Sequence, residues 1–163
     1  MSSSTDFDFF MGRWNIQHQR LKERLANCQE WDHFHGSSHA QHILGGMGNI
    51  DDNYLEMPGG AYRAITLRSF DPATRQWSIW WLDGRFPGTL DAPMRGSFEN
   101  GVGCFLADDV FQGRDIKVRF LWYPAKDGTP RWEQAFSVDN GQTWETNWIM
   151  IFHPAGEGSA QPV

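Results

Sequence analysis

The sequence predicts an all-β protein: an antiparallel up-and-down β-barrel of about 8–10 strands with a short N-terminal helix. Three observations carry this. Stretches of roughly ten residues alternate aromatic or aliphatic side chains with polar ones, and they recur from Trp14 to Phe152. A turn rich in Gly, Asn, Asp or Pro follows each stretch. No amphipathic helix interrupts them, and the nine Trp and twelve Phe fall mostly on the alternating segments. Short strands with turn signals between them mean an antiparallel sandwich or barrel. A meander this long removes its exposed edges best by closing on itself.

Residues 1–6 read as a flexible lead-in, small and polar. Asp6 or Thr5 then caps one helical turn through residues 7–11, setting Phe7, Phe10 and Met11 against the barrel. The predicted strands are 13–25, 29–44, 49–57, 62–70, 76–84, 94–99, 104–111, 116–123, 131–138 and 143–153. The segment Gly45-Gly46-Met47-Gly48 is a flexible break. Other connections, such as Pro58-Gly59-Gly60, Asp71-Pro72-Ala73-Thr74, Glu99-Asn100-Gly101 and Lys126-Asp127-Gly128, accept positive φ or fix the φ of a turn. Such turns join sequence neighbours as hairpins. The longest connection, 85–93, reads either as a flap over one mouth or as an ordinary wide loop. Residues 7–154 form one domain, and residues 155–163 read as a flexible tail.

Alternation also orients the strands, because successive side chains face opposite sides. Ile116, Val118, Phe120 and Trp122 alternate with Lys117 and Arg119, so the apolar set faces in. Trp132, Gln134 and Phe136 alternate with Arg131 and Glu133 in the same way. Trp77, Ile79 and Trp81 form another inward set, which extends to Asp83 inside or at the rim. In the first strand Trp14, Ile16, His18 and Arg20 lie opposite Asn15, Gln17 and Gln19. The interior is then a candidate ligand pocket: mainly apolar, with a few convergent polar groups. Its predicted binding residues are Trp14, Ile16, Trp77, Ile79, Trp81, Phe120, Trp122, Trp132, Gln134, Phe136 and Trp148. An interior Arg20 or Asp83 needs the other, water or a ligand as partner, since an unpartnered buried charge costs several kcal/mol. Arg20 lying past the mouth, in solvent, is the other reading.

Some strands are apolar on both faces. Ile65 and Leu67 stand opposite Tyr62, Ala64 and Thr66; Trp80 and Leu82 back onto Trp81; Ile149 and Ile151 back onto Trp148, Met150 and Phe152. Outward apolar residues on neighbouring strands make a patch of the kind that marks an interface, here a homodimer, unless a local segment covers them.

The net charge of −6 lacks the clustered basic surface that nucleic acid requires. No apolar run approaches the roughly 20 residues that span a bilayer, and the first residues lack the basic start and apolar stretch of a signal peptide. Cys28 and Cys104 then read as reduced thiols in a cytoplasmic protein.

Several motifs weigh on function. His33, His35 and His39 share one parity, with His42 close by, and a His-x-His pair on a strand is a real metal-ligand geometry. The polar surroundings favour a solvated outer face, and no metal or other cofactor is implied by a completed motif. His153, at the end of the last strand, is an axial haem ligand in one reading and a surface residue in the other. Ser137-x-Asp139-x-Gly141-x-Thr143-Trp144 matches the Asp-box, a hairpin whose Ser and Asp brace the turn, and is read as structural. The pairs Asp51-Asp52 and Asp108-Asp109 sit beside turns and read as solvated.

Gly12-Arg13-Trp14, after a short helix and opening the first strand, resembles the lipocalin start. In that family the Trp plugs the closed end and an Arg near the final strand stacks over it; the predicted last strand here carries no Arg. The run from Phe9 to Trp14, together with Phe70-Asp71-Pro72-Ala73-Thr74 and Trp80-Trp81-Leu82-Asp83-Gly84-Arg85, resembles an uncharacterised bacterial family of lipocalin-like barrels. The resemblance spans about residues 7–152 and implies a calycin-type barrel, with no catalytic residues to transfer.

Four functions stay open. The first is binding of a small, mostly hydrophobic molecule. The second is an acid–base enzyme of isomerase, lyase or hydratase type, with His18 as base or acid, Asp83 orienting it, and Arg20 or Arg68 steadying an anionic intermediate. The third is a haem or metal carrier through His153 or the His33/His35 pair. The fourth is an interaction protein that works through its outer apolar strands.

Overall fold

A computed structural model describes residues 1–156; the predicted tail falls largely outside them. Ten strands follow in chain order: β1 Gly12–Leu21, β2 Trp31–Ile43, β3 Gly48–Leu55, β4 Tyr62–Asp71, β5 Gln76–Asp83, β6 Met94–Glu99, β7 Val102–Phe111, β8 Arg114–Tyr123, β9 Arg131–Ser137 and β10 Glu145–Pro154. Each pairs antiparallel with its neighbours in sequence. β1 also pairs with β10, Trp14 opposite Pro154 and Arg20 opposite Trp148, so the sheet closes into a barrel.

The expected strand at 13–25 stops at Leu21. Leu25 and Asn27 both take positive φ, which a strand cannot hold, and the Leu25 N–H donates to the Glu145 carboxylate at 2.8 Å. The N-terminal helix is likewise shorter than expected, a single 3-10 turn over Asp8–Phe10 with no side-chain cap. Asp6 is occupied elsewhere. Its carboxylate accepts from the Ser3 N–H at 2.9 Å, the Trp77 indole at 3.3 Å and the Ser2 hydroxyl. Residues 2–6, expected to be loose, are thus tied in: Ser2 is buried, its carbonyl accepting from Arg75 at 2.6 Å.

The turn drives two phenyl rings into one end of the barrel. Phe7 and Phe10 are each 1% exposed. Phe7 stands edge-on to Trp77, Phe98 and Trp122 at 4.9, 5.0 and 5.8 Å. Phe10 stacks on Trp14 at 5.7 Å and meets Phe152 at 5.1 Å, and the Trp14 indole donates to the Phe10 carbonyl at 2.7 Å. This end is solid. Edge-to-face and offset stacked rings of this kind add to the burial of large apolar area.

The wall is least complete beside β6. β5 pairs with β6 only through Trp77–Ile79, and β6 pairs with β7 no further than Leu106. The connection over residues 84–93 spans the interval, where the Asp91 N–H reaches the Trp81 carbonyl at 3.5 Å. At β6 the chains cross closely: a Cβ on Gly96 would run into the Cys104 carbonyl. On the outer surface Ile50, Leu67 and Trp80 lie in register across β3, β4 and β5, with Ile65 beside Leu82, all half-buried.

Candidate functional site

Away from the plug the barrel is hollow. A cavity of about 370 Å³ lies between the plug and the open end. The inward faces of the strands make the wall: Ile79, Trp81, Phe120, Trp122, Trp132, Gln134, Phe136 and Trp148 all line it. Trp14, Ile16 and Trp77, expected to join them, do not. They face inward as predicted, but Phe10 covers Trp14, Phe7 covers Trp77, and all three belong to the packed core at the closed end.

The floor is polar. Arg68 of β4 and Asp51 of β3 form an ion pair, both 2–3% exposed, and Arg68 also donates to Asn49 Oδ1 at 2.9 Å. The Asp51 carboxylate further accepts from Asn53 at 2.6 Å and Ser38 at 3.3 Å. A paired, hydrogen-bonded guanidinium tolerates burial where a bare one does not. Its plane lies against three rings of the plug, 5.1 Å from Phe7, 5.1 Å from Phe10 and 5.5 Å from Trp122. An arginine of β4 thus borders the closed end, against Phe7, Phe10 and Trp122.

The expectation that Asp51 and Asp52 are both solvated is corrected for Asp51. Asp52 is exposed, 3.6 Å from Arg63, whereas Asp51 is buried. Asn49, Asp51, Asn53 and Leu55 share the inward parity of β3. The signal was present: an inward Arg68 requires an anion, and Asp51 has the inward parity on the adjacent strand.

The mouth carries charge on two lips. Arg20 and Arg24 stand on one, at the end of β1 and just beyond it. Arg20 lies 4.9 Å over the Trp148 ring and Arg24 5.4 Å over Phe111. Burial lowers the pKa of Arg20, and the neighbouring Arg24 charge lowers it further. Asp83, Asp91, Asp108 and Asp109 line the other lip. Arg85 binds Asp83 at 2.7 Å and holds its carboxyl below the usual range, while packing 3.7 Å over the Tyr62 ring. Lys117 binds Asp108 at 2.7 Å. Burial, then the charges of Asp109 and Asp83, raise the pKa of Asp91.

His18 does not belong to this constellation. It faces inward and is 2% exposed, but it does not line the cavity. The Trp148 indole donates to His18 Nδ1 at 3.1 Å, which places the ring proton on Nε2, and the imidazole stacks on Phe34 at 4.5 Å. Nε2 has no partner. Burial, with a smaller contribution from His35, drives its pKa down to about 3. The space it occupies exists because residue 36 is glycine: a Cβ there would lie 2.8 Å from Nε2 and 2.6 Å from the Tyr54 carbonyl. So Arg20, Asp83 and Arg68 share the cavity, His18 stands behind Trp148, and Asp83 is engaged by Arg85 instead of orienting His18.

His33, His35 and His153 are exposed on the outer face. Among the described residues, no three His, Cys, Asp or Glu side chains gather into a metal-binding group, and no helix is long and apolar enough to cross a membrane. The Asp-box folds as read, with Ser137 donating to Asp139 at 2.8 Å and the Thr143 N–H and hydroxyl donating to Asp139 at 2.8 and 2.6 Å. No protein-family model matches the chain, and no curated protein matches it.

Proposed function

We propose that the barrel binds a small, mostly hydrophobic molecule in the cavity of its open half. The observation that carries this is a hollow of about 370 Å³ walled by Trp and Phe, in a molecule whose other half is packed solid with the same residue types. Ligand pockets run from about 300 to 1,000 Å³, mainly apolar with a few placed polar groups. An apolar cavity of about 150 Å³ holds one benzene, so this one suits a body of two rings. The lipocalin-like start at Gly12-Arg13-Trp14, the closed meander and the plugged end support kinship with lipocalin-like barrels and agree with a binding role.

The acid–base alternative has less support, because its proposed base has one ring nitrogen held by Trp148 and no contact with Asp83. The experiment is titration of tryptophan fluorescence with 2-naphthamide, an uncharged two-ring probe. Saturable change is expected, and Ile79→Trp, which fills the cavity, should remove it. Emission that never saturates with any two-ring probe would sink the reading.

A further inference from the structure

Arg20 and Arg24 crowd one lip of the cavity, and neither stands in an ion pair among the described residues. Glu145 acts on Arg24 and Asp32 on Arg20 through space, but neither carboxylate comes within ion-pair distance. Arg20 rests on the Trp148 ring and reaches the Met57 sulfur at 3.8 Å, with its Nε buried and without a partner. Arg24 rests on Phe111 and donates to the Leu21 carbonyl at 3.4 Å. Every other buried or half-buried cation around the cavity has its carboxylate: Arg68 has Asp51 and Arg85 has Asp83. The protein leaves two positive charges near one another over aromatic rings, with no carboxylate in direct contact with either, an arrangement that an anion bound between them would favour.

We propose that the ligand is a monoanionic amphiphile, an aromatic carboxylic acid, with its rings against Trp132 and Trp148 and its carboxylate received by Arg20 and Arg24. Guanidinium and carboxylate match in geometry, and the rings under both arginines hold the forks in place. The facing lip limits the charge. Among the described residues Asp91 and Asp109 make no ion pair there, so a doubly charged phosphate head meets repulsion that a single carboxylate avoids. The inference rests on the cavity being a ligand site, and its test separates the two claims.

The probes are 2-naphthoate, 2-naphthamide and 2-naphthylmethylamine, equal in ring body and differing in head charge, titrated by tryptophan fluorescence and checked by calorimetry. Naphthoate should bind at least ten-fold more tightly than the amide, and its advantage should shrink as salt is raised. Arg20→Gln and Arg24→Gln should each reduce that preference several-fold, read as the ratio of the naphthoate and amide dissociation constants. Arg24 stands at the rim, so its variant reports even if Arg20→Gln disturbs the fold. Arg20→Glu should shift preference toward the amine. Equal binding of naphthoate and amide overturns the inference and leaves the cavity reading standing, and so does a carboxylate preference that survives both Gln variants. Binding by none of the three overturns both.

Discussion

The two ends of this barrel are built from the same ten strands and the same alternation, yet one is solid and the other hollow. At the closed end the chain before β1 turns inward and delivers Phe7 and Phe10 between Trp14, Trp77, Trp122 and Phe152. At the open end no segment enters among the described residues. The long connections 22–30 and 84–93 stay at the rim, and the inward positions there are Arg20, Tyr62 and Asp83. The difference teaches that strand patterning makes the wall while a short non-strand segment decides whether the space inside is filled. Arg68 and Asp51 sit at the boundary and let aromatic packing end on a polar surface.

The largest expected effect lies at the plug. Phe10→Ala should cost about 3–5 kcal/mol, the range for truncating a buried Phe, read by chemical denaturation. A loss below about 1 kcal/mol would mean the end is not packed as described. The boundary comes next. Asp51→Ala leaves the Arg68 charge buried and alone and should cost about 3 kcal/mol or more, whereas Asp51→Leu with Arg68→Met should recover most of that.

A third effect depends on pH. His18 has a folded pKa near 3 against an ordinary 6.5. Between these values the unfolded chain binds the proton and the folded one does not, so stability is full above about pH 6.5 and falls as pH drops toward 3. The slope from this residue should approach about 1.4 kcal/mol per pH unit near pH 5. His18→Gln, which can still accept from Trp148, should flatten the curve in that window; an unchanged slope would show that His18 is not buried neutral. The smallest effects belong to the mouth. Asp91→Asn and Arg24→Gln should change stability by no more than about 0.5 kcal/mol, because both stand at the rim, outside the packed core, and neither makes an ion pair among the described residues. If a rim substitution costs as much as Phe10→Ala, the contrast between the ends is lost.

Much of this architecture is legible in the sequence. The alternation oriented Trp14, His18, Ile79, Phe120 and Trp132 correctly, since period-two patterning reports directly on which face is buried. The turn chemistry placed the hairpins, and the Asp-box gave its own hydrogen bonds. Depth along the barrel was not legible. Parity says that Trp14 and Trp148 both face in, and says nothing about which of them meets a plug and which meets empty space. Nor did local pattern separate Asp51 from Asp52, because β3 offers a polar and an apolar residue to each face and only Arg68 across the register decides between them. His18 looked catalytic for its type and its inward parity. Its neighbours, Phe34 and Trp148, come from distant strands and hold it neutral.

The pairing of β1 with β10, and the meeting of Phe10 with Phe152, join residues nearly the whole chain apart. A ribosome releases the first of these long before the last. Until residues 145–154 emerge, the nascent sheet has two raw margins and its leading aromatic rings lack their final neighbour, so the protein is committed to sealing late. Pairings of such long sequence separation also make folding slow. A newborn copy therefore spends its most adhesive moments with every other strand already made.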